Sequence, residues 1–102
     1  MKLQHENIKE VKRRITEIVS KYLAPNECKI FFFGSRVSGK SHKGSDIDVG
    51  IEWKNPIPVH IMAAMREEID NLPYLYTIEL VDFRRVSADF LEVAKKSIEP
   101  IN

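Results

Sequence analysis

Apolar residues Ile8, Val11, Ile15, Ile18, Val19 and Tyr22 recur at helical spacing, with Lys, Arg and Glu filling the opposite face. This spacing predicts an amphipathic helix that ends near Pro25. The pattern then changes. Ile30-Phe31-Phe32-Phe33 is a continuous run of β-formers stopped by Gly34, which predicts a central strand over 29–33 buried on both faces. A loop rich in Gly, Ser and Lys follows over 34–45. From Asp46 to Ile51 the residues alternate, with Asp46, Asp48 and Gly50 on one face and Ile47, Val49 and Ile51 on the other, as in a half-buried strand. Pro56 and Pro58 mark a loop and a helix start. The stripe Ile61, Met62, Met65, Ile69 continues that helix until Leu72-Pro73. Thr77 to Phe83 reads as a third strand. Ser87 is placed to cap a last helix with Phe90, Leu91, Ala94 and Ile98 turned inward. The order predicts an α/β (α+β) domain over residues 1–102, a small mixed β-sheet packed against helices.

Composition narrows the class. A 43% hydrophobic content supports a packed core, and 102 residues make one domain. A net charge of +1 argues against a protein that coats nucleic acid. The basic run Lys12-Arg13-Arg14 reads as a solvated helix face. The single cysteine, Cys28, adjoins an apolar run and reads as a core residue; it allows neither an internal disulfide nor a Cys-rich metal centre. No apolar stretch approaches the roughly 20 residues that span a bilayer. Met1 to Glu10 is polar and lacks a signal-peptide apolar region, so a cytoplasmic protein with no membrane partner is expected.

The segment from Gly34 to Ser41 spells G-x-x-x-x-G-K-[ST] in full and follows an apolar strand. A P-loop also needs the Lys-Ser pair to open a sizeable helix whose N-terminus faces phosphate. Here Ser41 is followed by His42-Lys43-Gly44-Ser45 and then an acidic strand, which leaves no room for that helix. The P-loop reading is therefore rejected.

Asp46 and Asp48 stand two apart on a strand, so their carboxylates share a face. Such a pair is repulsive unless a cation lies between the two. Mg²⁺ suits it, because that ion takes oxygen ligands and pairs carboxylates with substrate phosphates. Gly34-Ser35 forms a turn after a buried strand that can aim N–H groups at phosphate, and Ser45 lies just before the first carboxylate.

Gly34-Ser35 followed by Ser45-Asp46-Ile47-Asp48 resembles the signature of the DNA polymerase β-like nucleotidyltransferase superfamily. Gly34-Ser35-Arg36-Val37-Ser38-Gly39 resembles its minimal nucleotidyltransferase branch in particular. The resemblance extends from the leading helix to the helix after Ser87, and implies a polymerase β palm-like fold. It also implies that Gly34 and Ser35 bind triphosphate, with Arg36 and Ser45 beside them, and that Asp46 and Asp48 bind metal. The metal would be Mg²⁺ or Mn²⁺, and the substrate ATP or another nucleoside triphosphate. A third acid from a neighbouring strand binds metal and helps deprotonate the acceptor hydroxyl.

Thr77 to Phe83 offers Glu79 and Asp82 for that role. Period two puts them on opposite faces, so only one can share the metal face. The family usually has Asp where Glu79 stands, so Glu79 is assigned and Asp82 is read as a strand-end charge or turn cap. Arg36, Lys40 and Lys43 could meet phosphate, while His42 reads as a solvated loop residue.

The resemblance implies transfer of a nucleoside monophosphate, AMP from ATP, to a hydroxyl on a partner protein. Minimal nucleotidyltransferases are often the antitoxin half of a pair with a HEPN-domain protein. The alternative is a binding subunit, its centre weakened by Glu79, that neutralises or assembles with such a partner by contact alone. A fragment of a nucleic-acid-modifying polymerase or tRNA nucleotidyltransferase fits less well, given the near-zero net charge and the lack of an RNA-binding appendage.

Overall fold

The computed structural model describes residues 7–34, 37 and 46–102. Helix α1 spans Ile8–Ser20, and the Asn7 side chain caps it by accepting from the N–H groups of Lys9 and Glu10. It buries Val11, Ile15, Ile18 and Val19 along the expected stripe. The cations of its basic run are paired within the chain. Arg13 pairs with Glu10 and Glu17, Arg14 with Glu10, and Lys12 with Glu99 at 3.1 Å. This agrees with a solvated face rather than a polyanion-binding patch. Pro25 opens a short 3₁₀ turn, Pro25–Glu27, ahead of strand β1, Lys29–Phe33.

Strand β2 is Ile47–Glu52, helix α2 Val59–Asp70 and strand β3 Ile78–Asp82. Helix α3, Ala88–Ala94, is capped by the Ser87 hydroxyl, which accepts from Phe90 N–H. The sheet order is β3-β2-β1-β4; β1 lies antiparallel to β2 and β4, and β2 parallel to β3. Among the described residues, a mixed sheet packed against helices is the architecture expected from the order of elements.

Ile98 does not continue the last helix. It begins a fourth strand, β4, Ile98–Pro100, which pairs with β1 (Phe33 opposite Ile98). Apolar spacing alone could not distinguish a further helical turn from a three-residue edge strand, whose identity comes from its partner. The segment is secured beyond the strand: Ile30 N–H donates to Asn102 Oδ1, and Asn102 Nδ2 donates to the carbonyls of Cys28 and Pro25.

One sheet face carries Ile30, Phe32, Ile47, Val49, Ile51, Ile78 and Leu80, buried in one core with α1 and with Met62, Met65 and Ile69 of α2. Cys28 is a free thiol in this core, its pKa pushed up by burial and then by Glu27. The other face carries Phe31, Phe33 and Phe83, packed edge to face with Ala94 beside them. Gly50 lies beneath those rings: a Cβ there would stand 2.4 Å from Phe31 Cε2 and 2.6 Å from Phe83 Cε1. Strand β2 is therefore not half-buried as its alternation suggests. Its second face is covered at Gly50 and is polar at both ends, at Asp48 and at Glu52.

Candidate active site

The site lies where β1 ends, β2 begins and β3 runs alongside. β1 delivers Gly34, whose φ of +85° is the left-handed conformation that glycine adopts without a Cβ penalty. Phe33 is opposite Asp48 across the antiparallel pair, and Asp48 is opposite Glu79 across the parallel pair. Residues opposite one another in a sheet project to the same face. Asp48 and Glu79 are thus adjacent on the aromatic side of the sheet, with Phe33 directly across from Asp48.

Gly34 and Asp48 fit together. A Cβ on Gly34 would stand 2.5 Å from Asp48 Oδ2 and 3.4 Å from Cγ. The missing side chain is the space that the carboxylate occupies. This relation could not be found in the sequence, where Gly34 reads as a phosphate-facing turn with no stated contact to Asp48.

Asp48 is partly buried, and its pKa is raised, first by desolvation, then by Glu79, then by Asp46. Asp48 thus lies within electrostatic reach of both other carboxylates. Asp46 is exposed and lies just before β2 rather than within it.

Asp82 is on the opposite side of β3 and is 5% exposed. It accepts from Ile57 N–H at 2.8 Å and from Arg84 N–H at 2.9 Å, and it faces Arg85 Nε at 3.4 Å. Its carboxylate is used in holding the loop before α2 to the end of β3. The turn-cap reading therefore holds, and the β2–β3 register puts Glu79, not Asp82, on the face of Asp48.

Ser35, Arg36, Lys40, Lys43 and Ser45, expected around the phosphates, lie outside the described residues, as does His42, read as a solvated loop residue. Among the described residues no group of three His, Cys, Asp or Glu side chains is gathered as it stands to hold an ion. The donor set nevertheless fits a hard divalent cation: Asp46, Asp48 and Glu79 offer only oxygen, and their mutual repulsion is relieved by positive charge. The described helices include none long and apolar enough to cross a membrane.

Comparison with known proteins places the chain. The family model for polymerase beta nucleotidyltransferases matches residues 13–101. A Haemophilus influenzae protein named as the probable protein adenylyltransferase MntA is 29% identical over 90 residues, covering 88% of this chain and 78% of that one. Among solved structures, a chain of a toxin–antitoxin complex with AMP-PNP superposes with a TM-score of 0.72 at 17% identity, over 89% of this chain and 72% of that chain. A chain from the complex of a tri-AMPylated Shewanella oneidensis HEPN toxin with its MNT antitoxin gives 0.70 at 14% identity, over 94% and 72%. At these identities the structural matches speak for the fold. The family match, which begins within α1 and reaches past β4, also decides against the P-loop reading of Gly34 to Ser41: this chain belongs to the polymerase beta nucleotidyltransferase family.

Proposed function

We propose that the protein is a divalent-metal-dependent adenylyltransferase that moves AMP from ATP to a hydroxyl on a HEPN-domain partner, as the antitoxin of that pair. The observation that carries this reading is the register of β2 and β3, which sets Asp48 and Glu79 side by side at the edge of the Gly34 turn. The relatives add support. One is named as a probable protein adenylyltransferase, and another belongs to a complex with an AMPylated HEPN toxin.

Asp46, Asp48 and Glu79 would hold Mg²⁺ or Mn²⁺, which when bound supplies Lewis-acid stabilisation of phosphate charge. The Gly34 turn brings backbone close to the triphosphate, with Ser35, Arg36 and Ser45 as its further donors. Glu79, exposed on its strand, takes the proton of the acceptor hydroxyl. The hydroxyl oxygen bonds to the α-phosphorus, the bond from that phosphorus to the bridging oxygen breaks, and pyrophosphate leaves.

The second reading is a binding subunit that acts by contact. It is favoured by Glu79 standing where the family usually has Asp, and by the acids not being gathered among the described residues. Labelled ATP with Mg²⁺ and the HEPN-domain partner separates the two. Label on the partner with wild type, and none with Asp46→Asn/Asp48→Asn, supports the enzyme. A tight complex without label, unchanged in the double variant, refutes it in favour of the binding subunit.

A further inference from the structure

Strand β3 is an edge strand, and it carries Glu79. Ile47 N–H donates to Thr77 O, and Phe83 N–H donates to Ile51 O. These bonds fix the parity: Thr77, Glu79, Val81 and Phe83 turn their backbone groups toward β2, while Ile78, Leu80 and Asp82 turn theirs outward. Arg66 Nη2 covers Leu80 O at 3.1 Å, and Arg85 N–H covers Asp82 O at 3.1 Å. Ile78 N–H, Ile78 C=O and Leu80 N–H have no partner among the described residues. The side chains of Ile78 and Leu80 are buried in the core, so the strand presenting these groups is firmly held.

Open edges are usually blunted by charged side chains, Pro or a bulge; β3 has neither Pro nor bulge, and its charges, Glu79 and the inward-pointing Asp82, leave the free groups of Ile78 and Leu80 unbonded. Instead a cavity of about 310 Å³ runs along it, lined by Arg66, Asp70, Thr77, Ile78, Glu79 and Leu80. Arg66 stays cationic while it holds Leu80 O, but Asp70 and Glu79 outnumber it, so the lining is net acidic. That charge repels a phosphodiester backbone and suits a polypeptide with a basic residue.

We propose that the open edge of β3 takes up an extended segment of the acceptor polypeptide as a fifth strand, setting a hydroxyl-bearing residue opposite Glu79. A strand added in either direction puts the residue opposite Glu79 on the same sheet face as Glu79 and Asp48. Main-chain bonds to Ile78 and Leu80 would hold the segment, and the position opposite Glu79 would select the hydroxyl. This inference rests on the transferase reading above, because it identifies the acceptor's seat in that same site.

The test uses isotopically labelled full-length chain and a library of peptides about ten residues long. Each has a central Tyr, Ser or Thr, β-branched flanks and one Lys. Amide exchange is read residue by residue, and AMP transfer is read separately by peptide mass. Binding peptides should slow exchange at Ile78 and Leu80 about tenfold or more, while Glu79 and Val81, already bonded to β2, change little. The same alternation should persist in Asp48→Asn, which removes transfer; protection there with no label in wild type would leave the docking standing and sink the transferase reading alone. Peptides that become labelled without slowing Ile78 and Leu80 would overturn the docking and spare the transferase. Failure of every peptide to bind would overturn it, as would protection that grows with chain concentration in the absence of peptide, since a second copy would then occupy the edge.

Discussion

Replacing Gly34 by Ala tests the geometry of the site without touching a carboxylate. The backbone at φ +85° costs an L-residue about 1–2 kcal/mol. The new Cβ would meet Asp48 Oδ2 at 2.5 Å, so the carboxylate must swing away, at about 0.5–1.5 kcal/mol if it leaves its rotamer. Alanine returns about 0.4–1 kcal/mol by restricting the unfolded chain. The net loss is about 2 kcal/mol, a fall in melting temperature of roughly 8–16 °C for a domain of this size. Asp48→Ala removes the clashing oxygen and leaves Asp48 Cβ, an ordinary contact at 3.6 Å. In that background Gly34→Ala should cost only its backbone share, so a double-mutant cycle should show coupling of about 0.5–1.5 kcal/mol. Urea unfolding of the four proteins in EDTA measures it. Equal costs of Gly34→Ala in the two backgrounds would refute the claim that Gly34 makes room for Asp48.

Asp48→Asn should abolish transfer yet raise the metal-free melting temperature at neutral pH, because it removes a carboxylate that burial, Glu79 and Asp46 all penalise. The folded-state pKa of Asp48 lies above its unfolded value, so the folded state holds the proton more tightly, and wild-type stability in EDTA should fall as pH rises through the window above about pH 4. Melting curves of wild type and Asp48→Asn across that window check the sign; a wild type that gains on the variant as pH rises contradicts it. Glu79→Gln should cut AMP transfer far more than Asp82→Asn. The latter should instead lose about 1.5–3 kcal/mol of stability by weakening the bonds from Ile57 and Arg84, and the reverse ranking would show the acids misassigned. Gly50→Ala should lose about 1–3 kcal/mol by forcing Phe31 and Phe83 apart, which chemical denaturation would read; a neutral effect would mean the rings move freely.

Much of this was legible from periodicity. The apolar run of β1, the stripes of α1 and α2 and the Ser87 cap depend on local sequence, and each stands where spacing puts it. Strand parity likewise separated Glu79 from Asp82. What spacing could not reveal depends on a neighbour. Gly50 looks like a solvent-facing position because β2 alone cannot say that Phe31 and Phe83 lie over it. Ile98 looks helical because only its pairing with Phe33 makes it a strand. The pairing of Asp48 with Glu79 is likewise a fact of register, and the reason for Gly34 is a contact across the sheet.

The parallel alignment of β2 with β3 also has a kinetic side. Asp48 and Glu79 reach each other only after the chain has crossed over through α2, and parallel pairings of this kind close late because their loop entropy is lost before their contacts are gained. Neither the hairpin of β1 and β2 nor α1 can assemble the acids alone. A chain folded short of the β2–β3 pairing would therefore lack the paired acids that the proposed transfer needs.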